Sequence, residues 1–175
     1  AELQAGYFTT AQGAEAGYSP QLLYKHIKAG RLRRVRRGIY RLVHFPMSDE
    51  EHLAECWLWA EQAGVFSHET ALFYHDLSDI LPKHVYLTVP EAWRVRRLRV
   101  PEGLVLCYGH VPDADRTWLG PAPITKPTRA IRDVIDTQLS PEHIERAIGD
   151  ARHRGLISRD EAGQLEARLR ESQRT

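Results

Sequence analysis

Ser19-Pro-Gln-Leu-Leu-Tyr-Lys-His-Ile-Lys-Ala-Gly30 runs straight into Arg31-Leu-Arg-Arg-Val-Arg-Arg-Gly-Ile-Tyr-Arg-Leu42. Ser19 is a favoured helix N-cap, Pro20 is pre-organised for the first helical position, and Gly30 suits the left-handed residue that ends a helix. A helix over residues 21–29 puts Leu23 and Ile27 on one face. Gln21, Tyr24, Lys25 and Lys28 fall on the other. The second half reads as a β-hairpin, Leu32–Arg36 and Ile39–Leu42, turning near Arg37 and Gly38. Strand alternation sets Arg33 and Arg37 on one face, and Arg34 and Arg36 on the other. Upstream, residues 9–16 read as a short helix that ends at Gly17. Helix, turn, helix and basic hairpin together predict a winged helix-turn-helix. That architecture offers a helix to the major groove and a cationic wing to the backbone of a duplex.

Charge points the same way. Between Ala16 and Ser48 there are eight Lys and Arg and no acidic residue, although the chain carries 24 basic and 23 acidic residues in all. The remainder therefore holds 16 basic against 23 acidic residues. A merely solvated face mixes signs, so a segregated block implies a polyanion, most simply nucleic acid. A second basic run, Arg94, Arg96, Arg97 and Arg99, alternates with Val95 and Leu98. It is read as a strand that serves either as a secondary phosphate track or as a charged, aggregation-resistant edge.

At 175 residues the chain is long enough for a real core, and its 42 % hydrophobic and 27 % charged residues are those of a globular protein. No apolar run approaches a membrane span, and no signal-peptide pattern opens the chain. Cys56 and Cys107 stand 51 apart without a CxxC, which reads as two buried thiols in a reducing compartment. The chain opens Ala-Glu-Leu, and we expect further sequence ahead of it.

Beyond Pro46 the pattern changes to an α+β body. Ser48-x-x-Glu51 is a capping box for a helix with the stripe Leu53, Cys56, Trp57 and Ala60. Ser67 is read as the cap of a helix through Leu77. Val85–Val89, Arg94–Val100 and Leu104–Tyr108 read as strands, and residues 120–123 as a proline-rich loop. Helices follow over 127–137, with Ile131, Val134 and Ile135 inward, over 141–154, and from the capping box Ser158-x-x-Glu161 to about Glu171. Catalytic signatures are scarce. There is no Gly-Lys pair for a P-loop and no HExxH, and none of the four lysines has an acidic residue two positions ahead. His68 and His75 lie seven apart without the spacing of a zinc site. The four tryptophans read as packing residues.

Several stretches in order resemble one family. Gly6-Tyr-Phe-Thr-Thr-Ala-Gln, Ala16-Gly-Tyr-Ser and the Gly30–Leu42 run are similar to the N-terminal domain of AbiEi-type antitoxins. Phe66-Ser-His-Glu-Thr-Ala-Leu, Leu77-Ser-Asp, His84-Val-Tyr-Leu-Thr-Val-Pro, Pro123-Ile-Thr-Lys-Pro-Thr-Arg-Ala-Ile and Arg154-Gly-Leu-Ile-Ser-Arg extend the likeness along the chain. The resemblance implies a winged helix-turn-helix that represses its own operon. It also implies a C-terminal domain that counteracts an AbiEii-type nucleotidyltransferase toxin, in the type IV manner that requires no direct contact with the toxin.

The expectation is thus an α+β chain: a DNA-binding domain over residues 1–46 and a mixed α/β antitoxin domain over 47–175. Gln21, Tyr24, Lys25 and Lys28 read the major groove. Arg31, Arg33, Arg34, Arg36, Arg37 and Arg41 hold phosphates or the minor groove, and Arg94, Arg96, Arg97 and Arg99 form a secondary contact. The partners are double-stranded operator DNA and, functionally, the toxin, in the cytoplasm. No membrane, cofactor, metal or catalysis is expected. The rival readings are a stand-alone regulator, a module docking on an acidic protein, and the non-catalytic front of a nuclease.

Overall fold

The computed structural model describes residues 1–47, 51–79, 81–137 and 139–174. Among these it is a mixed α/β protein with seven α-helices and two β-sheets. Packing divides it into two units: Ala1–Ala63 with Trp118–Ala122, and Gly64–Thr117 with Pro123–Thr175.

The first unit begins its sheet with β1 (Tyr7–Thr9), three residues and too short for alternation to announce. Thr9 then caps α1 (Thr10–Glu15): its hydroxyl accepts from the Gln12 backbone N–H, and the Gln12 side chain accepts in return from the Thr9 N–H. After α2 (Pro20–Lys28) come β2 (Leu32–Arg36) and β3 (Ile39–Leu42), where the sequence places them. The sheet order is β1-β3-β2, antiparallel throughout, with Tyr7 opposite Arg41 and Leu32 opposite Leu42. Two small apolar clusters hold it. Phe8, Leu23 and Leu32 pack beneath α2. Tyr7 and Ile39 pack with Ala54 and Leu58 of α3 (Glu51–Trp59). Because α3 buries its stripe on β1 and β3, the first unit extends to Ala63, beyond the residue-46 limit expected for the N-terminal domain. Ser48, the expected cap of α3, lies outside the described residues.

The second unit is built on a five-stranded sheet. The sheet comprises β4 (Val65–Phe66), β5 (Val85–Val89), β6 (Leu104–Tyr108), β7 (Arg116–Leu119) and β8 (Ala122–Thr125), in the order β6-β5-β4-β8-β7, the end of β7 and the start of β8 falling within the Trp118–Ala122 segment. β8 takes the second half of the expected proline-rich loop, while Gly120 and Pro121 form a turn. Its four residues are all buried and it runs parallel to β4, so pairing and burial override the local turn signal of the prolines. The strand expected over Arg94–Val100 is also corrected. A 3-10 turn spans Glu91–Val95, pinned by the buried indole of Trp93, and no strand follows before Pro101.

Helices α4 (His68–Tyr74), α5 (Pro127–Ile135), α6 (Pro141–His153) and α7 (Arg159–Ser172) pack on one another. The α5 face Ile131, Val134 and Ile135 is buried as read. Ser158 and Glu161 form the expected capping box, and Glu161 also accepts from the Thr128 hydroxyl 2.9 Å away, tying α7 to α5. Ser67 sits at the N-cap of α4 but makes no side-chain cap bond. Its buried hydroxyl is 2.7 Å from Thr88 Oγ1 and 2.8 Å from His68 Nδ1, so the sheet claims it before the helix does.

Neither His68 nor His75 belongs to a metal cluster; among the described residues no such cluster occurs. His75 Nε2 donates to the Thr125 carbonyl at 2.7 Å, and His68 stacks on Tyr86. Burial pushes both imidazoles below their usual range. The unfolded chain therefore takes up protons that the fold refuses, so stability is present above the ordinary histidine value of about 6.5 and is lost as pH falls below it. We expect the melting temperature followed by circular dichroism to drop between pH 7 and pH 5. His75→Gln, whose amide still donates to Thr125, should flatten the profile; a melting temperature that rises on acidification contradicts the assignment.

Candidate nucleic-acid interface

Local chemistry sets α2 in place. The Ser19 hydroxyl accepts from the Leu22 N–H at 3.2 Å, Pro20 occupies the first turn, and Gly30 takes a φ of +68°. Bonds from the Gly30 N–H to Ile27 O and from the Arg31 N–H to His26 O close its C-terminus and turn the chain into β2. Leu23 is 2 % exposed against Phe8 and Leu32, and Ile27 packs beside it. This anchoring fixes the rotation of the helix. Gln21, Tyr24, Lys25 and Lys28 are consequently all exposed on the opposite face. Tyr24 does not lie down over Leu23: it is 58 % exposed, with Lys28 Nζ 4.9 Å from its ring centre. His26 turns to the flank and packs against Tyr18.

The hairpin departs from simple alternation. The β2–β3 register shifts between Arg34 and Arg36, so that Arg34 lies opposite Tyr40 and Arg36 opposite Ile39. A bulge reorients the residues on either side of it. Arg33 and Arg34 are both exposed, as are Arg31 and Arg37, whereas Val35 and Arg36 are half-buried. The expected shared face of Arg34 and Arg36 is therefore absent.

Two of the eight basic side chains are committed inside the unit. Arg41 is 5 % exposed. Its guanidinium pairs with Glu51 of α3 and donates to Leu42 O at 3.1 Å and Phe45 O at 3.2 Å. The Tyr7 ring lies beneath it, and the Tyr7 hydroxyl donates to the same carboxylate. Burial, together with Glu51, pushes that phenol above its usual value. Arg41 is therefore removed from the expected phosphate contacts; its charge is met in the interior by Glu51 and the two carbonyls. Arg36 donates from Nε to Glu55, one helical turn after Glu51. Sequence reasoning took Glu51 as a capping-box residue only and did not single out Glu55. Their i,i+4 spacing is visible, but which cations they meet depends on α3 docking across the sheet.

The second basic run stands in the other unit. Arg94 pairs with Glu91 and lies over the Tyr108 ring, and Arg96 lies 4.0 Å from the centre of Trp93. Arg97 and Arg99 are exposed. Cys56 and Cys107 are free thiols, both pushed up to about 11 chiefly by burial. Cys107 is only half-buried, less than the sequence reading supposed. No helix among the described residues is long and apolar enough to cross a membrane.

Residues 1–43 match the family model described as transcriptional regulator, AbiEi antitoxin. No curated protein matches the chain. Among solved structures, the crystal structure of the RV2827C protein from Mycobacterium tuberculosis is similar at 16 % identity and a TM-score of 0.48, over 95 % of this chain and 71 % of that one. The matched segment covers β1, α1, α2 and the hairpin, that is, every element that carries the exposed basic face. The likeness to the AbiEi antitoxin transcriptional regulators thus rests on this N-terminal module, residues 1–43.

Proposed function

We propose that the chain is an antitoxin that binds double-stranded operator DNA through α2 and the hairpin, represses its own toxin–antitoxin operon, and counteracts a nucleotidyltransferase toxin. The cytoplasm is the compartment this reading requires. One observation carries it: the anchored helix α2 exposes Gln21, Tyr24, Lys25 and Lys28 beside exposed Arg31, Arg33, Arg34 and Arg37. An amide, a phenol and ammonium groups on one helix face are the side chains that reach base edges and phosphates in a major groove. Guanidiniums on a hairpin suit the flanking backbone. Arg94, Arg96, Arg97 and Arg99 are proposed as a secondary contact. The toxin is proposed as a functional partner, since the resemblance to the family requires no physical complex.

Footprinting on the chain's own promoter is the direct test. Lys25→Ala with Lys28→Ala should weaken operator binding by about 1–3 kcal/mol for each base edge that is no longer read. An unaltered footprint removes α2 from the interface. Binding to an acidic protein with no binding to the promoter would favour a docking module instead.

Salt dependence separates phosphate-binding arginines from structural ones. With roughly five phosphates neutralised, log K should fall by about 4.5 per decade of salt, or roughly 500-fold between 50 and 200 mM. Arg33→Ala should lower that slope by about 0.9 and leave the melting temperature unchanged. Arg41→Ala should instead destabilise the first unit by about 3–5 kcal/mol, because it strands a largely buried Glu51. A melting temperature unmoved by Arg41→Ala would return that residue to the surface set.

A further inference from the structure

We infer that Glu55 is a restraint on the DNA-binding face: it holds Arg36 back from phosphate and so sets how many hairpin charges a duplex meets. This rests on the proposed DNA-binding reading and adds a determinant of affinity to it. Arg36 is the last residue of β2, directly after the register shift, in the segment that otherwise presents Arg33, Arg34 and Arg37 to solvent. Its side chain is 38 % exposed, against 7 % for Arg41. Arg41 is thus enclosed, with two backbone carbonyls and Glu51 as partners, and serves the fold. Arg36 lies at the boundary, with a single carboxylate on one side and water on the other.

Glu55 itself is placed by the core. It sits between Ala54 and Cys56 on α3, and Ala54 is fully buried against Tyr7 and Ile39. Its side chain is 18 % exposed, so the carboxylate is presented to Arg36 from a fixed helix and is not a mobile surface charge. An apolar or cationic residue at 55 would leave α3 equally able to dock, since docking uses Ala54 and Leu58. The carboxylate is therefore unnecessary for the packing, and its effect falls on the charge of the hairpin. A duplex approaching this face meets Arg31, Arg33, Arg34 and Arg37, while the Arg36 charge is already cancelled. The Arg36 side chain already reaches water, so removing the carboxylate frees the arginine without burying an unpaired charge.

The test measures binding of a short random-sequence duplex across a salt series, because that probe reports phosphate binding without base readout. Glu55→Gln keeps an acceptor for Arg36 and removes the charge. It should bind more tightly and steepen the slope of log K against log salt by about 0.9, an additional weakening of roughly 3.5-fold between 50 and 200 mM. Arg36→Gln in the wild-type background should leave the slope unchanged, and added to Glu55→Gln it should restore the wild-type slope. An unchanged slope in Glu55→Gln, or a shallower one in Arg36→Gln alone, overturns the inference while leaving the DNA-binding reading intact. The Arg36→Gln measurement stands even where Glu55→Gln folds poorly. A wild-type protein without salt-dependent binding overturns the reading and the inference together.

Discussion

A buried guanidinium anchors the first unit. Removing Arg41 from water is tolerable only because Glu51, two carbonyl oxygens and the face of Tyr7 meet it within one turn of chain and helix. Those partners come from β1, from the end of β3 and the residues after it, and from α3, so a single charge ties these segments together. The apolar clusters on either side are small, and the polar anchor supplies an orientation that nonspecific burial does not. With α3 held in this way, Glu55 falls opposite Arg36, and the hairpin presents some of its arginines outward while withholding others.

The second unit solves a different problem with neutral polar groups. Its sheet and helices bury Ser67, Thr70, Thr88 and Thr125, and most of their oxygens find partners within the sheet and α4. His75 closes one such network by donating to a backbone carbonyl, and Arg129 gathers Asp133, Asp115 and the His110 carbonyl on the unit's flank. These are devices of structure. The exposed basic face of α2 and the hairpin lies instead in the segment that matches the regulator family.

Much of the first unit was legible residue by residue. Ser19, Pro20 and Gly30 bound α2 through capping and backbone geometry alone, and Leu23 set its rotation through helical period. The hairpin limits followed from β-propensity and the turn at Gly38, which adopts a φ of +77°. Among the element readings, those at β8, Arg94–Val100 and Ser67 failed for non-local reasons. β8 is a strand because β4 lies beside it; Arg94–Val100 is not, because Trp93 is buried and turns the chain; and Ser67 leaves its helix uncapped because Thr88 is in reach.

The sequence by itself determined the local elements of the basic segment, its segregated charge and the polar face of α2, since caps, periods and charge counts act over a few neighbouring residues. Which arginines remain available was set only when α3 packed onto β1 and β3 and brought Glu51 and Glu55 to the hairpin. Ion pairing depends on distance in space, and carboxylates ten and nineteen residues from their arginines are neighbours only in the folded chain.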